Sequence, residues 1–89
     1  MGYTVDLSPE AREVLQKLPV PVQRHVASEL RRLGEHPARW SERTQALHPP
    51  GQLFEIQLSF QGSDWYIDVI FKFVREEALL VTHVFVEYV

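Results

Sequence analysis

The period of hydrophobic and polar positions changes along the chain, and each change marks an element. Tyr3-Thr4-Val5-Asp6-Leu7 alternates, which predicts a short strand. Ser8-Pro9-Glu10 reads as a helix start. Ser8 can cap the free amides, Pro9 suits the first helical position, and Glu10 sits where the helix dipole favours an anion. Ala11, Val14, Leu15 and Leu18 follow at helical spacing, one apolar stripe on a helix over residues 8–18. Pro19 and Pro21 interrupt it. Pro21 opens a second helix over 21–34, with Val22, Val26, Leu30 and Leu33 as its stripe and Gly34 just past its end. Residues 35–51 hold His36-Pro37, Pro49, Pro50 and Gly51 and read mainly as loop, with room for one irregular turn between Trp40 and Leu47.

From Gln52 onward the period is two. Phe54, Ile56, Leu58 and Phe60 alternate with Glu55, Gln57 and Ser59. Gln61-Gly62-Ser63-Asp64 predicts a hairpin turn. Trp65 to Val74 then forms a long strand with Trp65, Ile67, Val69, Phe71 and Phe73 on one face and Tyr66, Asp68, Ile70, Lys72 and Val74 on the other. Arg75-Glu76-Glu77 turns the chain, and Ala78 to Tyr88 is a last strand, apolar on both faces and so expected inside the sheet. The order is β-α-α-β-β-β in one α+β domain spanning 1–89. The two apolar stripes predict a helical hairpin packed on one face of a mainly antiparallel four-stranded sheet. The other face stays partly open, a natural place for a site.

Composition narrows the function classes. The 89 residues suit one small domain, and no apolar run is long enough for a membrane helix. With no cysteine, disulfides and thiolate metal sites are excluded, which suits the cytoplasm. Net charge is −3 and unevenly spread. Residues 1–50 carry seven Lys/Arg and six Asp/Glu (+1), whereas 51–89 carry two Lys/Arg and six Asp/Glu (−4). A phosphate-gripping surface needs clustered cations, and the strand-rich half offers only Lys72 and Arg75. The basic concentration is Arg24, Arg31, Arg32, Arg39 and Arg43, read as a solvated helix face and loop. His25, His36 and His48 have no metal-ligand spacing and read as surface residues. Glu55, Asp68 and Glu87 could converge on Mg²⁺, but solvated strand faces explain them more simply, so no metal and no cofactor is expected. No Ser-His-Asp order or glycine-rich phosphate loop is present.

The element order at this length resembles toxins of the RelE/ParE superfamily, and within it the HigB-like branch. Members of that branch typically carry Leu-Tyr-Glu-Leu-Arg on the strand after the helices, where this chain has Leu53-Phe54-Glu55-Ile56-Gln57. A Tyr-Arg-Val-x-Tyr strand corresponds to Ile67-Asp68-Val69-Ile70-Phe71, and a closing Leu-His-Gly-Phe-x-Lys-Lys to Thr82-His83-Val84-Phe85-Val86-Glu87-Tyr88. The resemblance implies the toxin component of a type II toxin–antitoxin system, cytoplasmic, with a ribosome-dependent messenger-RNA endoribonuclease activity and a cognate antitoxin as partner. The family uses strand arginines and terminal lysines against the RNA phosphate. Here those positions are Gln57, Asp68, Glu87 and Tyr88, so activity is expected to be weak or lost. If chemistry survives, the resemblance and the residue types nominate His83, Tyr66 or Tyr88 for proton transfer and Arg75 or Lys72 for charge compensation. The alternative is a non-catalytic toxin-fold protein that binds an antitoxin-like partner or pairs as a homodimer. A gyrase-directed role, as in the ParE branch, has no specific support in the residues.

Overall fold

The alternating segment Thr4–Leu7 is the first strand, β1, and Ser8 ends it. A computed structural model describes residues 2–44 and 48–89. Ser8 caps helix α1 (Pro9–Gln16), its hydroxyl accepting the Ala11 N–H at 3.1 Å. The same hydroxyl donates to the Thr82 carbonyl at 3.1 Å, so one side chain starts the helix and ties it to the last strand. Helix α1 stops at Gln16, two residues short of the expected end, and α2 runs Val20–Glu35. The Gln23 side-chain amide bridges the turn between them, donating to the carbonyls of Leu18 (2.7 Å) and Gln16 (3.1 Å), which no helical amide could reach past Pro19 and Pro21.

The expected four-stranded sheet is corrected to a mixed sheet of five strands, and the two helices to three. The segment read mainly as loop contains a one-turn helix α3 (Pro37–Trp40) and a two-residue strand β2 (Glu42–Arg43). Of the irregular turn expected between Trp40 and Leu47, residues 45–47 lie outside the described residues. Strands β3 (Gln52–Phe60), β4 (Ser63–Arg75) and β5 (Ala78–Tyr88) follow as antiparallel neighbours. The sheet order is β1-β5-β4-β3-β2, with β1 parallel to β5. Gly34 is not the residue past the helix but lies within α2, where β1 crosses so closely that a Cβ would sit 2.9 Å from the Tyr3 carbonyl oxygen. The Tyr3 N–H donates to the Gly34 carbonyl at 2.7 Å.

Both helices press on one sheet face. Ala11, Val22, Val26, Leu30 and Leu33 form one cluster with Phe54, Ile56, Ile67, Val69, Phe71, Leu79, Val81 and Val84. Each of these apart from Ala11, taken fully from water, contributes on the order of 1.5–3 kcal/mol. The last strand is apolar on both faces for a geometric reason. The pairing shifts from Ile70–His83 to Phe71–Val81, which leaves Thr82 as an extra residue in β5. That bulge switches the side-chain parity, so Leu79 and Val81 on one side of it and Val84 on the other all face the helices. Among the described residues, no helix is long and apolar enough to cross a membrane.

Candidate functional site

The face turned away from the helices is built from the alternate positions of the same strands. In register, Gln57 lies opposite Tyr66 and Tyr66 opposite Glu87; Glu55 lies opposite Asp68 and Asp68 opposite Phe85. Ile70 lies opposite His83. Six residues singled out from the sequence, Glu55, Gln57, Tyr66, Asp68, His83 and Glu87, are thereby brought onto one surface.

Two expectations fail here. Tyr88 pairs with Trp65 on the helix side of the sheet and stacks on its ring, with centroids 4.6 Å apart. Arg75 closes the β4–β5 turn opposite Ala78, nine residues along β4 from Tyr66, or roughly 30 Å at the rise of a strand. It cannot offset charge near Glu87. Lys72 stands on the open face opposite Leu80, four residues beyond Asp68 along β4.

His48 and Gly51, ahead of β3, cover part of this face. Thr44 holds Gly51 in place: the Thr44 N–H and hydroxyl both donate to the Gly51 carbonyl, and the Gly51 N–H donates back to the hydroxyl oxygen, all at 3.1 Å. Gly51 has φ +149°, and a Cβ there would meet the Phe71 carbonyl at 2.7 Å and Ile70 Cγ2 at 3.3 Å. Only glycine fits so close to the sheet. Gly51 against Ile70, and Arg39 to Glu42 beside Leu53, explain why these two residues, on the open face by parity, are buried.

Sequence reasoning placed His48 on the surface; the fold places it half-buried against the sheet. Its Nε2 lies 3.8 Å from Asp68 Oδ2, an ion pair only when the imidazole is protonated. Its Nδ1 is buried without a hydrogen-bond partner. No spacing rule could have found this contact, because the partners lie on separate elements 20 residues apart in sequence. His25 pairs within its own helix with Glu29, at 3.8 Å, and stays outside the site.

His83 is exposed and held at Nδ1, 3.0 Å from the Thr82 hydroxyl oxygen. That hydroxyl spends its single proton on the Ile70 carbonyl at 3.3 Å, so the Thr82 oxygen accepts and His83 Nδ1 donates. Nε2 is left without a hydrogen-bond partner among the described residues. The ring stacks parallel to Phe85, centroids 6.1 Å apart. The Thr82 bulge thus turns a histidine and an exposed phenylalanine to the open side while keeping the strand's apolar row inward.

The electrostatics of the face are one-sided. Glu55, Asp68 and Glu87 carry its charge at the centre, with no lysine or arginine opposite them in the register. Among the described residues no group of three or more His, Asp or Glu side chains is placed to hold a metal ion, so the Mg²⁺ arrangement of Glu55, Asp68 and Glu87 does not assemble. A shallow groove of about 340 Å³ runs beside Gln57, Ser59, Asp64, Trp65 and Tyr66, where Ser59 donates to Asp64 at 2.7 Å. Arg39 lies at the rim of this face, lining a shallow depression with Trp40, Ser41, Glu42, Leu53 and Glu55. Arg32 and Arg39 both approach the Trp40 ring, at 4.4 and 5.1 Å from its centroid, and Arg32 also pairs with Glu29 at 2.6 Å. No protein-family model matches the chain, and no curated protein matches it.

Proposed function

We propose that this chain is the toxin component of a type II toxin–antitoxin system, of RelE/HigB-like fold, that works in the cytoplasm with its RNA-cleaving activity weak or lost. One observation carries the reading: Gln57, Asp68 and Glu87 meet on one sheet face with no lysine or arginine opposite them in the register. A scissile phosphate placed there would meet carboxylates, and the charge that develops in cleavage would be destabilised rather than stabilised. The two-helix cover over an antiparallel β3-β4-β5 meander supports the family resemblance. What remains for the face is protein contact with a cognate antitoxin. The test is a ribosome-dependent cleavage assay on messenger RNA with the purified protein. Little or no cleavage, with stable co-purification of the product of the adjacent open reading frame, is the expected result. Robust cleavage overturns the loss of activity, and indifference to the adjacent gene product overturns the partner.

A second reading, a retained endoribonuclease, is favoured by a specific observation. His48 faces Asp68 while His83 presents a free Nε2 on the same surface. Moving a proton off a ribose hydroxyl and another onto a leaving oxygen needs a base and an acid, and imidazoles can supply both. If cleavage is found, His83→Ala and His48→Ala should each lower it by more than about tenfold, and Tyr66→Phe distinguishes a proton-transfer role of its hydroxyl from a stacking role of its ring.

A further inference from the structure

We propose that the chain forms a two-fold homodimer by antiparallel pairing of its β3 edge with the same edge of a second copy, so that two five-stranded sheets become one. The inference rests on the strand edge alone and stands whether or not the toxin reading holds.

The hydrogen-bonding pattern shows which backbone groups are free. Asp64 and Val89 exchange both backbone bonds, N to O at 3.1 and 3.0 Å, so Asp64 points its backbone at β5. Neighbouring residues of an antiparallel strand bond in alternate directions. Trp65, Ile67 and Val69 therefore bond to their β3 partners Leu58, Ile56 and Phe54. The intervening residues Glu55, Gln57 and Ser59 turn their N–H and C=O groups outward. The outer neighbour β2 pairs only with Leu53 and Gln52, so these outward groups have no strand partner, and all three residues are exposed.

The edge lacks the features that keep edges apart. From Phe54 to Phe60 it has no proline, lysine or arginine, its pairing with β4 runs without a bulge, and its one charge is Glu55. The opposite edge of the sheet is blunted: β1 has 4 residues, and α1 packs against β5 beyond it.

The side-chain pattern selects a second copy as the occupant. With Leu58 opposite Leu58 of the copy, Gln57 faces Ser59 and Ile56 faces Phe60. The outward backbone groups of Gln57 and Ser59 meet each other in hydrogen-bonded pairs, and Leu58 falls in the close, non-hydrogen-bonded pair on the axis. Leu58 and Phe60 are half-buried alone, and in this register the apolar row Ile56-Leu58-Phe60 meets itself on the helix side of the joined sheet. Glu55 faces Gln61, so no like charges stand directly opposite. The Gln61-Gly62 turn of the copy ends near Phe54, where β2 begins to occupy the lane. The contact is isologous and closes on itself, which gives a dimer rather than a fibre.

The chain has no cysteine, so single cysteines report the geometry directly. Under mild oxidation Leu58→Cys should cross-link to a disulfide dimer, because non-hydrogen-bonded antiparallel pairs bring Cβ atoms within about 5 Å. Tyr66→Cys, exposed on the open face, should cross-link at least about tenfold less. Sedimentation over a concentration series should show a monomer–dimer equilibrium. Gln57→Pro, which removes an outward N–H and fixes φ within the β range, should weaken the equilibrium by more than about tenfold with an unchanged circular dichroism spectrum. If Gln57→Pro does not fold, Gln57→Lys, which sets like charges near the axis, serves the same comparison. A wild-type protein that stays monomeric throughout the series, or equal cross-linking at positions 58 and 66, overturns the proposal.

Discussion

The two faces of the sheet are made from the same strands, and one-residue alternation separates them. The helix-covered face is apolar from Phe54 across Ile67 and Val69 to Leu79 and Val84 and carries most of the buried side chains. The open face takes the intervening positions and holds Glu55, Gln57, Tyr66, Asp68, His83 and Glu87. The first face is where the chain gains stability, and the second is where it has residues to spare for recognition. The contrast is blurred where Gly51 lies against Ile70 and Arg39 to Glu42 lie beside Leu53. It predicts that substitutions sort by face rather than by residue type.

Phe71→Ala gives the largest effect. The side chain is fully buried at the centre of the helix-covered face, and its loss should cost roughly 3–5 kcal/mol in urea unfolding, enough to leave a domain of this size near the edge of folding. A cost below about 1 kcal/mol would mean the core is elsewhere. Gly51→Ala asks whether the cover over the open face is held as tightly as the core. Its Cβ would press on the Phe71 carbonyl in a backbone conformation that side chains rarely adopt, so about 2 kcal/mol should be lost. Glu77→Gly has the opposite sign and touches neither face. Glu77 turns the β4–β5 hairpin at φ 57°, a left-handed position that costs a side-chain-bearing residue about 1 kcal/mol, and glycine should raise the urea midpoint accordingly. His83→Ala is the smallest: an exposed position on the open face should change stability by less than about 0.5 kcal/mol. A large loss there would make His83 a structural residue and remove it from the site.

Much of this was legible in the sequence. The caps and prolines around Ser8, Pro9, Pro19 and Pro21 place both main helices, and the alternation from Phe54 to Phe73 separates the two faces residue by residue. What was not legible has three physical sources. Strand β2 and helix α3 are too short to show a period, and β2 exists only because Arg43 and Glu42 find Gln52 and Leu53. The parallel β1–β5 pairing leaves no mark on either segment, since a parallel neighbour and an edge look alike in a four-residue strand. The inward placing of both Leu79 and Val84 turned on the Thr82 bulge, which one extra residue creates and no local propensity announces. The same physics governs the open face. Residues sharing strand parity were brought together as expected, whereas His48 reached Asp68 only through the fold of the segment around Gly51.

The pairing of β1 with β5 has a consequence for how the protein is made. The Ser8 hydroxyl and the Thr82 carbonyl that it holds are separated by 74 residues. Synthesis therefore releases α1 and α2, apolar stripes exposed, well before the strand that β1 must join. Until β5 has left the ribosome, β1 lacks its neighbour and the helices lack Leu79, Val81 and Val84 beneath them. Closure between such distant segments is slow compared with helix formation. Pulse-labelled chains arrested before residue 78 should be cut by protease within the helical hairpin, and chains released past residue 88 should resist.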